Sequence, residues 1–519
     1  MNVPYVLRHA NRFHGGCVAI RDGDRSFTYN QFHERVMRGA NVLCALGIHC
    51  GDRVAVLMWN SPIYLELYYA TAQIGAIIVP LNTRWSVEDM VFALRDSGSK
   101  LLVVDDHFAG FAEPLAAQCP GLRFLFAGAS ACPVGMSDYT TMAAAGPAEH
   151  REEPDPHEDD LTGIFYTSGS TGGPKGVMLT HRNVYANALH AIMVFRMAPN
   201  SVWLHAAPMF HLADAGVVYS MVMNSAAHCF LPTFEPEAFL HAVERYRITH
   251  SLLVPTMINM MANHPAVERY DTSSLKLLFY GASPMPLDLL RRAKEKLGCS
   301  FAQAYGLSEA SPLLTYLTPE EHTFMDDDQK YMPIKSAGRP VMGTEVRVVD
   351  MQDRERPPGE AGEIVARGPN IMKGYWNRPD ITAETLRGGW LHTGDIGVFD
   401  DAGYLYILDR QKDMIKPGGE NVFSPEVESA ICAHPQVLEA VVIGLPHEKW
   451  GEAIHAVVVR RPASGLTKEA LIEFCRARLT HFKCPHSVDF VEELPKGGTG
   501  KVQKNVLRAR YGAAKSKGV

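Results

Sequence analysis

Two kinds of stretch alternate along most of this chain: unbroken apolar runs, and segments with an apolar residue at every third or fourth position. Arg53-Val54-Ala55-Val56-Leu57, Ala76-Ile77-Ile78-Val79-Pro80 and Leu101-Leu102-Val103-Val104-Asp105 predict strands. Their continuous apolar character predicts a sheet covered on both faces. Residues 62–72 and 87–94 predict helices, and Phe32, Val36, Val42, Leu43 and Leu46 fall near helical spacing with Gly47 as the stop. Strands alternating with helices predict βαβ units and a parallel sheet. The alternation continues to 335, with strands expected at 161–166, 203–207, 251–254 and 275–280. Ligands of such sheets sit beyond the carboxyl ends of the strands.

The character changes at 336. Gly, Pro and short β-like runs at 345–349, 362–366 and 404–408 predict a small β subdomain. After Asp409 the pattern becomes α+β, with strands at 437–443 and 454–459 and a helix at 466–479. The expected fold class is α/β. A large N-terminal domain of βαβ-type sheets, 1–408, carries the β subdomain at 336–408, and a small α+β domain, 409–519, follows. A chain of 519 residues is too long for one core, which agrees.

Composition excludes several classes. Apolar content of 46% and charged content of 21% belong to an ordinary soluble protein. A net charge of −7 argues against a nucleic-acid partner. The ten cysteines are scattered without a C-x-x-C pair. They predict buried thiols in a reducing, cytoplasmic setting, not a disulfide frame or zinc site. The N-terminal stretch has no apolar signal-like core, and no run is long enough to cross a membrane, so neither a signal peptide nor a transmembrane helix is expected.

Chemistry concentrates first in Tyr166-Thr167-Ser168-Gly169-Ser170-Thr171-Gly172-Gly173-Pro174-Lys175-Gly176. Glycines let backbone approach a ligand closely. Hydroxyls and amides offer donors to phosphate oxygens, and Lys175 adds a point charge. Pro174 and Gly176 flank the lysine, so this is not a Walker A loop. A solvated Ser/Gly surface loop is the plain alternative. Further candidates are Pro208-Met209-Phe210-His211, Glu309 in Tyr305-Gly306-Leu307-Ser308-Glu309, Asp395 in a Gly turn, Asp409-Arg410, and the Gly-rich loop ending at Lys501. Asp214 predicts a cap for the helix that follows it, with a reach toward a substrate channel as the alternative.

The Tyr166–Gly176 stretch resembles the signature loop of the adenylate-forming superfamily: acyl-CoA synthetases, adenylation domains of peptide synthetases, and luciferases. The matching motifs run in the family's order from Tyr166 to Lys501. The resemblance implies an AMP-forming acyl-CoA synthetase. Such an enzyme joins a carboxylic acid to ATP as acyl-AMP, releasing pyrophosphate, and then passes the acyl group to CoA. It implies an ATP site made of Thr167, Ser168, Gly169, Ser170, Thr171, Gly172 and Lys175, with Gly281, Ala282 and Ser283 and with Gln303, Ala304, Tyr305, Gly306, Leu307 and Ser308. Glu309 would face Mg²⁺, Asp395 and Arg410 the ribose with Ile407 beside them, and His211 the acyl carboxylate. Lys501 would bridge the acid and the α-phosphate, giving Lys501, His211 and Glu309 as catalytic residues. Gly418, Gly419, Glu420 and Trp450 would line the CoA tunnel, and Asp409 would be the hinge of a mobile C-terminal domain. Two positions depart from the family: Ser308 replaces a usual Thr, and the Lys501 loop has Gly where Pro is common.

The expected pocket walls at 211–218, 279–284 and 306–314 contain no Lys or Arg to hold a second carboxylate. They predict an apolar monocarboxylic acid, first a medium- or long-chain fatty acid, then an aryl or arylpropenoic acid. The expected partners are the acid, ATP and CoA, and a homodimer is one option for assembly. The rival readings are a carrier-protein-loading adenylation enzyme, a luciferase-like oxygenase, and a nucleotide-binding module without catalysis.

Overall fold

The computed structural model describes residues 1–149, 155–167, 174–283, 285–322, 332–462, 464–496 and 502–516. The chain divides into two compact units, Met1–Val346 with Ala366–Leu391, and Arg347–Val365 with His392–Val519.

The first unit holds two large sheets. In one, Val202–His205 lies between Ala227–Phe230 and His250–Leu252, and Leu277–Gly281 and Ser300–Gly306 continue the same direction. In the other, Arg53–Leu57 lies between Ile77–Pro80 and Leu101–Val104, and Leu161–Thr167 joins beyond Ile77–Pro80, all parallel. Antiparallel strands sit toward the margins: Leu313–Leu317 beside Ser300–Gly306, and Lys175–Thr180 beside Leu161–Thr167. The expected parallel sheet therefore holds at the centre and gives way outside it. A parallel return needs a crossover of a dozen or so residues, and the link from Thr167 to Lys175 is too short for one.

Local signals set the helices. Pro62–Gln73 starts on Ser61, whose side chain accepts from Tyr64 N–H, with Pro in the first turn. Val87–Ser97 starts on Ser86 and ends at Gly98, whose φ of 62° suits a left-handed cap. His181–Val194 opens with a reciprocal Thr180–Asn183 capping box. Helices Pro62–Gln73 and Leu212–Met223 meet through tyrosines: Tyr68 packs edge-on to Tyr219, and the Tyr69 hydroxyl donates to the Val218 carbonyl at 3.2 Å.

The second unit contains most of a four-stranded sheet ordered Glu345–Val349, Gly362–Arg367, Leu391–Phe399, Leu405–Arg410. It also contains the hairpin Val437–His447 and Gly451–Arg460, with Ser487–Val491 added parallel. Val442, Ile454, Ala456 and Val458 pack with Val427, Ile431 and Leu471. Val441, Ile443, Val457 and Val459 pack with Leu494 and Leu507 in a separate cluster. Both faces are covered, which is why the run at 437–443 is mostly apolar instead of alternating.

The cysteine expectation needs correction. All ten are thiols, but only Cys119, Cys229, Cys299 and Cys475 are buried, while Cys17, Cys50 and Cys432 are exposed. Cys17 and Cys50 sit in turns, and Cys432 ends a helix, where no core closes over them. Among the described residues no helix is long and apolar enough to cross a membrane.

Candidate active site

In the first unit the hairpin Leu161–Thr167/Lys175–Thr180 brings Thr167 opposite Lys175, and the Thr167 hydroxyl lies 3.5 Å from the Lys175 carbonyl. Ser168, Gly169, Ser170, Thr171 and Gly172, expected to hold phosphate, lie outside the described residues. Gly374–Tyr375 pairs antiparallel with Lys175–Thr180, placing Tyr375 opposite Val177. The Lys175 Nζ stands 5.3 Å from the centre of the Tyr375 ring. On the far end of that side chain, the hydroxyl donates to Glu309 Oε1 at 2.7 Å. Burial, reinforced by the Glu309 carboxylate, pushes the Tyr375 phenol far above its ordinary pKa, so it remains a donor. The Glu309 turn is braced from the same segment. Met372 N–H donates to the Glu309 carbonyl at 2.9 Å, and Asn370 Nδ2 donates to the carbonyls of Ala310 and Leu313. Lys175 and Glu309 thus meet across an aromatic ring that sequence reasoning missed. The only local hint was an aromatic pair after Gly374.

Strands Leu277–Gly281 and Ser300–Gly306 run side by side with Tyr280 opposite Gln303 and Gly281 opposite Ala304. Gly281, Ala282 and Ser283 therefore leave one strand end beside the neighbouring end that carries Tyr305, Gly306, Leu307 and Ser308. Ala282 takes a φ of 66°, a strained value for a residue with a side chain. Gly306 is needed for close approach: a Cβ there would run into the Pro312 carbonyl, to which Leu307 N–H donates at 3.0 Å. Gly306→Ala is expected to destabilise the unit by about 1–3 kcal/mol, the scale of an overpacked site, and thermal unfolding checks this.

His211 caps helix Leu212–Met223, its Nδ1 accepting from Ala213 N–H at 3.3 Å. The cap expected of Asp214 is corrected accordingly. Asp214 is fully buried and turns to the sheet, accepting from Trp203 Nε1 at 3.1 Å and pairing with His205 Nδ1 at 2.6 Å. His205 Nε2 lies 2.9 Å from His228 Nδ1. Burial, with His205 beside it, depresses the His228 pKa well below that of an ordinary imidazole, so the ring is neutral. The 205–211 loop is also clamped from the other sheet. Asn60 Nδ2 donates to the His205 and Ala207 carbonyls, Asn60 Oδ1 accepts from Met209 N–H, and Tyr68 donates to the Met209 carbonyl. Asn60, Tyr68, His205 and His228 carried no motif signal.

In the second unit Asp395 faces Arg410 across adjacent strands, with Nε to Oδ1 at 3.2 Å, and Ile407 is exposed on the same strand as Arg410. Asp409 points into the unit. Its Oδ2 accepts from Ser424 N–H at 2.6 Å and from the Ser424 hydroxyl at 2.8 Å, at the start of helix Ser424–Cys432. It thereby satisfies an amide that Phe423, the N-cap residue, leaves without a side-chain partner. Burial raises the Asp409 pKa, against the pull of nearby Lys504. Gly418 and Gly419 take φ values of 64° and 90°. Gly418 N–H donates to the Trp450 carbonyl at 2.8 Å, and Glu420 N–H donates to Pro417. The Trp450 ring stacks on His447 with centroids 4.5 Å apart. The four expected CoA residues therefore adjoin. Lys501 lies outside the described residues; Lys496 and Val502, on either side of its loop, form an antiparallel bridge.

The comparisons with known proteins bear on both units. Residues 7–376 match the family described as AMP-binding enzyme, and residues 426–501 match the AMP-binding enzyme C-terminal domain. The chain is 41% identical over 498 residues to a feruloyl-CoA synthase of Amycolatopsis sp, covering 95% of this chain and 96% of that protein. It is 37% identical to the long-chain-fatty-acid–CoA ligase FadD13 of Mycobacterium tuberculosis, covering 94% of each. The crystal structure of ATP-bound MatB from Rhodopseudomonas palustris matches with a TM-score of 0.87 at 33% identity, covering 98% of this chain and 99% of that one. An ATP-bound neighbour of the same fold and ligase relatives match this chain along nearly its whole length. The chain belongs to the AMP-binding, adenylate-forming family and is an AMP-forming acyl-CoA synthetase.

Proposed function

We propose that this ATP-dependent acid–CoA ligase takes an apolar monocarboxylic acid, a medium- or long-chain fatty acid before others. The carrying observation is that the buried acid beside the His211 loop is already used: Asp214 is committed to Trp203 and His205. No Lys or Arg occurs in 203–222, 277–283 or 301–317 to bind a second carboxylate. An arylpropenoic acid is the second reading, favoured by the similarity to a protein named feruloyl-CoA synthase.

In the proposed reaction Lys175 offsets phosphate charge and Glu309 would hold Mg²⁺. Among the described residues no three-ligand metal cluster exists. A single carboxylate suits an ion that arrives on the nucleotide, since Mg²⁺ is usually held by one or two carboxylates plus phosphate oxygens. When bound, the ion neutralises charge on the phosphates. Asp395 with Arg410 would take the ribose, His211 would border the acid, and Gly418, Gly419, Glu420 and Trp450 would border the thiol arm. Catalysis is then positioning plus charge stabilisation.

Pyrophosphate release across straight-chain acids from acetate to stearate, with benzoate, ferulate and succinate, tests this. The highest kcat/KM is expected on a long alkyl acid. A maximum on ferulate selects the second reading, and a maximum on succinate overturns both.

A further inference from the structure

We propose that Tyr375 is a positioning residue for the nucleotide step, holding Glu309 in place with its hydroxyl while its ring face receives Lys175. This rests on the reading of Glu309 and Lys175 as nucleotide residues.

The geometry leaves Tyr375 little freedom. Its backbone is a strand residue opposite Val177, two positions beyond Lys175. Its N–H donates to Thr382 Oγ1 at 2.9 Å, and Trp376 N–H donates to the Gly176 carbonyl at 2.8 Å. The side chain is buried and spans from the Lys175 ammonium to Glu309 Oε1. A carboxylate that must meet an ion at one oxygen gains from having the other held, because its rotation is then already restricted. Lys175 and Glu309 each contact Tyr375 and, among the described residues, form no ion pair with one another. Among the described residues, Oε1 of Glu309 receives the tyrosine hydroxyl, and no other side chain bonds to this carboxylate.

The test compares Tyr375→Phe, Glu309→Gln and the double variant. Tyr375→Phe keeps the ring and removes the hydroxyl. It is expected to lower kcat/KM for ATP in pyrophosphate release by roughly 10- to 100-fold, the scale of a hydrogen bond to a charged group. It should raise the magnesium concentration for half-maximal rate and weaken ATP binding measured by calorimetry. Conversion of supplied acyl-AMP and CoA to acyl-CoA should change by less than about twofold, since that step spends no triphosphate. In the Glu309→Gln background, Tyr375→Phe should add less than about twofold, because its effect runs through Glu309. Independent, multiplying losses would mean a general structural role and overturn the proposal. A damaging Glu309→Gln with a harmless Tyr375→Phe overturns the positioning role alone. A harmless Glu309→Gln overturns the nucleotide reading and the proposal with it. Should Tyr375→Phe fold poorly, 3-fluorotyrosine at 375 keeps the side chain's shape. It is then expected to move the magnesium half-saturation without moving Tm, and an unmoved value overturns the proposal.

Discussion

Asp214→Ala is expected to destabilise the first unit by about 2–5 kcal/mol, the cost of leaving two buried donors without their acceptor. Two buried donors, Trp203 Nε1–H and the His205 ring, would lose their shared acceptor at once. Water has no route to replace it, since Trp203, His205, Asp214 and His228 are all fully buried. Nor can the network rearrange outward, because His228 Nε2 already has no partner among the described residues. The loss would spread to the loop carrying His211, which Asp214 anchors through the first turn of helix Leu212–Met223. Asp214→Asn keeps one oxygen for Trp203 and should cost about 1–2 kcal/mol, near the value of a single hydrogen bond. Two units make global two-state fitting unsafe, so hydrogen exchange along Val202–His205 is the better readout. A change below about 1 kcal/mol for the alanine variant would mean that the network contributes nothing beyond filling space.

The same residue shows where sequence reading stops. Asp214 stands just after a His-Leu-Ala start, and local rules assign it to a cap. The structure gives the cap to His211 and spends Asp214 on a strand packed beneath the helix. Only tertiary placement decides between those roles. By contrast, Arg53–Leu57 was legible to the residue, because a covered strand writes its burial directly into consecutive apolar positions. Glu309 and Lys175 were legible as candidates, yet their connection was not. It depends on Gly374–Tyr375 returning from far along the chain to pair beside Lys175–Thr180. Asp409 was singled out as a hinge by resemblance alone, and its bonds to Ser424 depend on a helix that begins well after it.

Lys501→Ala is expected to slow acyl-adenylate formation by about 10²- to 10³-fold, comparable to removing one preorganised donor from a developing charge. Acyl-CoA formation from supplied acyl-AMP should stay within about twofold of the parent. The two steps differ in where charge builds. When the carboxylate attacks the α-phosphorus, negative charge accumulates on oxygens that a lysine ammonium can bridge. When the thiolate attacks the acyl carbonyl, charge builds first on the carbonyl oxygen, and the acyl C–O bond then breaks to expel AMP with the electron pair, so no new bond to phosphorus has to be stabilised. A lysine serving only the first step is therefore dispensable in the second. Lys501→Arg should recover part of the loss, because the charge returns while the planar guanidinium cannot reproduce a compact ammonium. Single-turnover assays of each half-reaction separate these outcomes. Equal losses in both steps would place Lys501 in general folding or CoA binding, and the assignment of this lysine to the first step would fall.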